Sequence, residues 1–315
     1  MLSRTAERMY WFGRYVERVE NTARLIAVNT HLIMDLPPGA TQVWESLISI
    51  TGYEDAFNAR FKRAEERNVV KFLLSDKQCS IRHAVAMARE NARTSREILP
   101  TGAWEKINRL HLYLARRKDA GVKREGREAF LTDIINQCYE VNGYLEGSMS
   151  DDNAHQFIRI GRNLERADMT TRIVDVGCLN LMQPGESEGN EHDNILWMNV
   201  LRNLSAYQMY RQHVQDVVNG EDVVDFLLKD PRFPRTVVHC LAHVEEAFRD
   251  LPRAEVPLVA VTEALRRMKT EQVPELLQQG KLHQYIDEIQ LELGSIHDRL
   301  GGTWFGYEPD SEVTA

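Results

Sequence analysis

The chain has 315 residues, 43% hydrophobic and 27% charged, a soluble globular balance that excludes disorder, collagen and low-complexity fibres. Lys plus Arg numbers 39 and Asp plus Glu 47, a net charge of −8 that argues against sequence-blind nucleic-acid binding. The N-terminal residues Met1 to Glu7 carry no signal-like apolar run and no stretch reaches the roughly 20 apolar residues of a membrane span, so a cytoplasmic protein is expected.

Apolar residues recur at helical spacing almost throughout. The first helix is predicted over 5–33 and stops at Pro37-Pro38-Gly39. Helices over 42–62, 68–98 and 103–118 come next, then a charged connector interrupted by Gly121 and Gly126, then a helix over 126–147. Past Ser148-Met149-Ser150-Asp151-Asp152 a helix is predicted over 151–180, succeeded by the polar loop 183–190. Further helices are expected over 193–217, 235–249, 256–270 and 281–299, and Gly301 opens an extended C-terminal tail to residue 315. No segment alternates as a half-buried strand would, so the fold class expected is all-α. The four cysteines (Cys79, Cys138, Cys178, Cys240) lie far apart without Cys-x-x-Cys and are read as free thiols.

An internal repeat runs through this series. Residues 9–26, MYWFGRYVERVENTARLI, resemble residues 157–174, FIRIGRNLERADMTTRIV, at an offset of 148. Phe72-Leu73-Leu74-Ser75-Asp76 is echoed by Phe226-Leu227-Leu228-Lys229-Asp230, and Trp44 by Trp197. The expectation is two tandem, pseudo-symmetric helical-bundle repeats, 1–150 and 151–300, with 301–315 as the tail.

Six of the eighteen aligned positions are identical: Gly13/Gly161, Arg14/Arg162, Glu17/Glu165, Arg18/Arg166, Thr22/Thr170 and Arg24/Arg172. None is a large apolar residue. A core tolerates swaps of similar volume, whereas keeping charges of one type and spacing asks for a geometric reason such as bidentate Arg–carboxylate pairing. Glycine beside the arginine leaves room for another backbone to approach. Three arrangements fit this pattern. Glu17 could pair with Arg14 and Arg24 along an exposed helix. The charges could form a buried structural network without ligand. Or the two stripes could line a shared cleft in which Arg14, Arg18, Arg24, Arg162, Arg166 and Arg172 bind an anion and Glu17 and Glu165 orient them or act as acid/base groups.

These residues are similar to those of the bacterial alpha-E family, helical proteins named for a Glu-Arg motif. The resemblance lies in Gly13-Arg14-Tyr15-Val16-Glu17-Arg18, in the stretch from Gly161 to Thr170, in Ser205 to Arg211 and in Phe226 to Arg235, and it runs to about residue 300. The glycine- and aromatic-rich ending from Gly301 to Tyr307 departs from it. The resemblance implies an all-helical protein found beside, or fused to, circularly permuted ATP-grasp proteins and transglutaminase-like proteins. It therefore implies an accessory or binding subunit of a system forming peptide-like amide bonds, with ATP and magnesium on the partner and no cofactor expected on this chain. The alternative is a stand-alone acyl or peptidyl transferase or hydrolase using Glu17 or Glu165.

Secondary signals are weaker. Arg82, Arg89, Arg93 and Arg96 share a face and are a candidate anion site. His239 and His243, at i and i+4, are a candidate metal pair, but they lack the intervening Glu of His-Glu-x-x-His. Trp304-Phe305-Gly306-Tyr307 either folds back on the bundle or docks a partner.

Overall fold

The longest helices are amphipathic by sequence yet buried nearly all round, and that decides the architecture. α1 (Ser3–Asp35) carries the apolar side chains of Phe12, Val16, Val19, Ala23 and Ile26, all buried, and it also buries Glu17, Glu20 and Asn21 on its charged side. A helix covered on both faces lies at the centre of a bundle. In the computed structural model, which describes residues 3–35, 42–117, 119–181, 191–214 and 217–306, α1 packs along α8 (Asn153–Leu181). Between them in sequence lie α2 (Gln42–Thr51), α3 (Glu54–Asn58), α4 (Glu66–Ser75), α5 (Ile81–Arg93), α6 (Thr101–Arg116) and α7 (Arg127–Ser148). After α8 come α9 (Glu191–Asn203), α10 (Tyr207–His213), α11 (Gly220–Lys229), α12 (Val237–Arg249), α13 (Glu255–Thr270), α14 (Val273–Gln278) and α15 (Leu282–Leu300). α5 and α7 cover α1 on one side, while α12 and α15 cover α8 on the other. A single hydrophobic core runs through all of these helices.

The described residues are all-helical, without a strand, as the periodicity predicts. Local chemistry divides three of the expected helices. The helix predicted over 42–62 breaks at Gly52, which adopts φ +69°, giving α2 and α3. That over 68–98 breaks at Asp76, whose Oδ1 accepts from the backbone N–H groups of Gln78 and Cys79 before Ser80 caps α5 through the N–H of His83. That over 193–217 breaks at Ser205, φ 53°, between α9 and α10. The second Asp turn is built alike: Asp230 accepts from Arg232 and Phe233, and Thr236 caps α12. The echo of Phe72–Asp76 in Phe226–Asp230 thus marks a helix that ends in an Asp turn. α11 and α14 lie where no helix is expected from the sequence.

Beyond α15 the chain does not run on as the extended tail expected from Gly301. Gly301–Phe305 continues as a π-helical turn, because Trp304 and Phe305 find cover: Trp304 packs on Phe157 and Phe248 and donates from Nε1 to the Pro252 carbonyl (2.9 Å). Residues 307–315 of that tail, Tyr307 included, lie outside the described residues, as do Pro37-Pro38-Gly39 and the polar loop 183–190. No helix of the described residues is long and apolar enough to cross a membrane. The four cysteines are free, Cys79 half-buried and the others buried.

Candidate functional site

The close approach of α1 and α8 starts at two glycines. A Cβ on Gly13 would stand 2.3 Å from the carbonyl oxygen of Ile158, and one on Gly161 would stand 2.1 Å from that of Tyr10. The contact is reciprocal, each glycine facing the residue three before the other. Backbones this near bring the next turn of each helix, Glu17-Arg18 and Glu165-Arg166, against the partner helix.

What the two charged stripes enclose is each other's carboxylates. Glu165, 2% exposed, accepts from Arg14 Nε (2.6 Å) and, bidentately, from Arg18 Nε and Nη2 (2.9 Å for the latter). Glu17, 0% exposed, faces Arg166 Nε at 3.0 Å and accepts from Arg235 Nη1 at 2.8 Å. Pairing along an exposed helix, with Glu17 on Arg14 and Arg24, does not occur: every partner of Glu17 comes from beyond residue 150.

Burial on its own would raise the pKa of both carboxyls, and the arginines outweigh it. Arg18 and Arg14 hold Glu165 down to about 2, and Arg166 and Arg235 hold Glu17 below the ordinary carboxylate value. Both are therefore ionised at neutral pH and have no proton to donate. Tyr10 extends the network: Arg14 donates to its hydroxyl (3.1 Å), which is also hydrogen-bonded to His297 Nδ1 (2.8 Å). Burial, with Arg14 second, lowers the His297 pKa.

The remaining sequence candidates separate. Arg24 turns to Glu20 on its own helix and to the Tyr139 hydroxyl (2.8 Å), and Arg172 to Asp168 (3.0 Å). Arg162, the aligned position of Arg14, does not reach Glu17; its Nη2 bonds the half-exposed Glu146 at 2.6 Å. Arg235 holds the place at Glu17 instead, and it also reaches Asn21 (2.8 Å) and Glu20. Thr170, one of the six identical positions, anchors the Arg235 backbone by donating to its carbonyl (2.7 Å).

Arg235, Glu20 and Tyr10 were not among the residues singled out by the sequence. The available signal was the turn after Asp230, which takes six residues to reach its capping Thr236, where the turn after Asp76 takes four to reach Ser80. The longer turn carries the extra arginine. Glu20 and Asp168 are likewise aligned, acidic in both segments though different in type.

Polar clefts open on two sides of the network. One, of about 200 Å³, is lined by Arg18, Glu165, Asp168 and Arg172 together with Thr22 and Tyr53. The other, of about 470 Å³, is lined by Arg159, Arg162 and Arg166 from α8, by His239 and His243 from α12, and by Glu146 from α7.

The four arginines predicted on one helical face do not form a joint anion site, and Arg96 lies in the turn beyond the end of α5 at Arg93. Arg82 donates to the carbonyls of Leu114 and Arg117, Arg89 to Asn108 (2.8 Å), and Arg93 to Glu90 (2.6 Å), while Arg96 lies over the Trp104 ring. The His239 and His243 rings sit 4.4 Å apart, but their Nδ1 atoms are engaged by the Pro231 carbonyl and Glu246. A different group, Asp175, His283 and Asp287, brings three ligand atoms within 4.8 Å. There His283 meets Asp175 through Nδ1 (2.6 Å) and Asp287 through Nε2 (3.6 Å), and the hydrogen bond to Asp175 raises its pKa. The hydrogen bond between His283 and Asp175 accounts for the closeness of two of these three groups.

Residues 1–305 match the family model Alpha-E, described as a predicted alpha-helical domain with a conserved ER motif. Among curated proteins the chain is similar to uncharacterised proteins of Mycobacterium bovis (23% identical) and of Mycobacterium tuberculosis strains CDC 1551 (23%) and H37Rv (22%), in each case over 95% of this chain. The chain spans 36% of the length of these relatives. No solved structure matches it.

Proposed function

The chain belongs to the Alpha-E family, and from that premise we propose that it is a cytoplasmic accessory subunit of an ATP-grasp-dependent system that forms peptide-like amide bonds. In this role it binds rather than catalyses. The observation that carries the binding role is the state of the two carboxylates: each is buried, ionised and clamped by two arginines. A carboxylate held near pKa 2, as Glu165 is, is a poor general base and has no proton to give, so the acid/base alternative loses its chemistry. The cleft beside Arg18, Asp168 and Arg172 is the polar surface offered to the partner or to its carboxylate substrate.

The partnership with a circularly permuted ATP-grasp protein, which would carry ATP and magnesium, and with a transglutaminase-like protein rests on the company the family keeps. The mycobacterial relatives, in which the matched part is 36% of the length, fit a helical unit that works beside further polypeptide. We read the chain as two copies of one helical unit, 1–150 and 151–300. The reciprocal glycine contact and the two Asp turns support that reading.

The test is co-purification with a circularly permuted ATP-grasp protein encoded beside this chain. Arg172→Glu, at a third-exposed position in the cleft, is expected to abolish it while the helical circular dichroism stays unchanged. Absence of any complex with the wild-type chain, or its persistence in Arg172→Glu, would overturn the proposal.

A further inference from the structure

The larger cleft holds an unexplained cation. Arg162 is largely buried, its side chain 14% exposed, and its Nε is wholly covered yet has no hydrogen-bond acceptor. A buried donor left unpaired is costly and asks for a reason. The reason here is displacement: Arg235 has taken the place at Glu17 that Arg14 has at Glu165, so the Arg162 guanidinium turns to Glu146. That substitute is weak, because Glu146 is about half-exposed and meets one of the five N–H donors. Arg166, beside it, faces Glu17 with Nε at an ion-pair distance of 3.0 Å but without an aligned hydrogen bond, and no acceptor for its two terminal nitrogens is found among the described residues.

From this geometry we propose that the cleft of about 470 Å³ between α8 and α12 binds a phosphoryl group, as a phosphate monoester, on Arg162 and Arg166. The chemistry selects the class. The unspent terminal N–H groups of two adjacent guanidiniums exceed what the two oxygens of a carboxylate can accept, and they match the three terminal oxygens of a monoester. A metal cation is disfavoured in the same space by Arg159, Arg162 and Arg166. His239 and His243 wall the far side with their Nδ1 atoms engaged elsewhere, leaving room beyond the phosphoryl for the group it esterifies. Glu146 then acts as a built-in competitor that the ligand displaces from Arg162. This assignment is independent of the ATP-grasp partnership.

Calorimetric titration of the full chain at fixed pH with phenyl phosphate and with benzoate, which share a ring and differ in the anion, tests it. Phenyl phosphate is expected to bind, and benzoate at least tenfold more weakly. Arg162→Gln should weaken phenyl phosphate at least tenfold, whereas Glu146→Gln, which removes the competitor, should tighten it severalfold. Arg89→Gln, on a remote face, should leave it unchanged. No binding of phenyl phosphate, equal binding of benzoate, or unaltered binding in a folded Arg162→Gln chain would overturn the assignment. If Arg162→Gln does not fold, the exposed Glu146→Gln variant decides alone, since unchanged or weaker binding there would equally overturn it.

Discussion

The two Glu-Arg segments have the same sequence signature and different electrostatic surroundings. Glu165 is clamped by Arg14 and Arg18, which stand one turn apart on a single helix, so one rigid element supplies both cations. Glu17 is clamped by Arg166 from the facing helix and by Arg235 from a turn, and the second arginine of its own aligned pair, Arg162, is left over. With Arg235 at Glu17, this centre has a further guanidinium, that of Arg162, at its rim, paired with Glu146 instead. Identical motifs in one chain need not make identical sites, because a charge pairs with whatever the tertiary structure brings to it.

That contrast can be broken experimentally, most forcefully at Arg235. Arg235→Leu would leave Glu17 with one cation and remove the contact of Arg235 with the buried Glu20, for an expected loss of about 3–5 kcal/mol in chemical denaturation. A loss below about 1 kcal/mol would mean that Arg162 swings in to replace it and that the two centres are interchangeable.

Acid should act on the Glu165 centre next. Its folded pKa of about 2 lies below the ordinary 4.5, so its stabilisation is fully present above pH 4.5 and is lost as the pH falls through about 2. The loss approaches about 3 kcal/mol. Melting temperatures followed from pH 5 to pH 2 should fall less steeply in Glu165→Gln than in the wild type, and parallel curves would remove Glu165 as their source.

Gly161→Ala probes the contact that both centres share. Its Cβ would meet backbone of α1, which cannot yield as a side chain does, and a loss of about 2–3 kcal/mol is expected from denaturation curves. Retained stability would show that the helices can separate without disturbing the ion pairs.

The finest distinction compares aligned arginines. Arg14→Ala takes one of two cations from Glu165 as well as a donor from Tyr10, for about 2 kcal/mol. Arg162→Ala loses only a bond to a half-exposed carboxylate, for less than about 1 kcal/mol. Equal losses would erase the asymmetry between the centres.

Much of the fold was legible in the sequence, since helical periodicity is a local property and α1, α6, α7, α8, α12, α13 and α15 fall within two residues of where it puts them. The missed breaks at Gly52, Asp76 and Ser205 come from single turns, whose backbone conformations interrupt a pattern that hydrophobic spacing carries straight through. The site was legible as a set of residues but not as a set of pairs. Glu17, Glu165, Arg14, Arg18 and Arg166 stood out because charges recur at one spacing, while Arg235 did not, since it reaches Glu17 from 218 residues away.

The sequence by itself determined an all-helical chain, the two glycine-flanked Glu-Arg segments and the stripes they form, because each arises from residue type at fixed spacing along one helix. Only the tertiary structure decided that those stripes face each other, that each carboxylate takes its cations from across the interface, and that Arg162 pairs with Glu146 at a cleft. Ion pairing depends on distance in space, and in a bundle that distance is fixed by which backbones can touch.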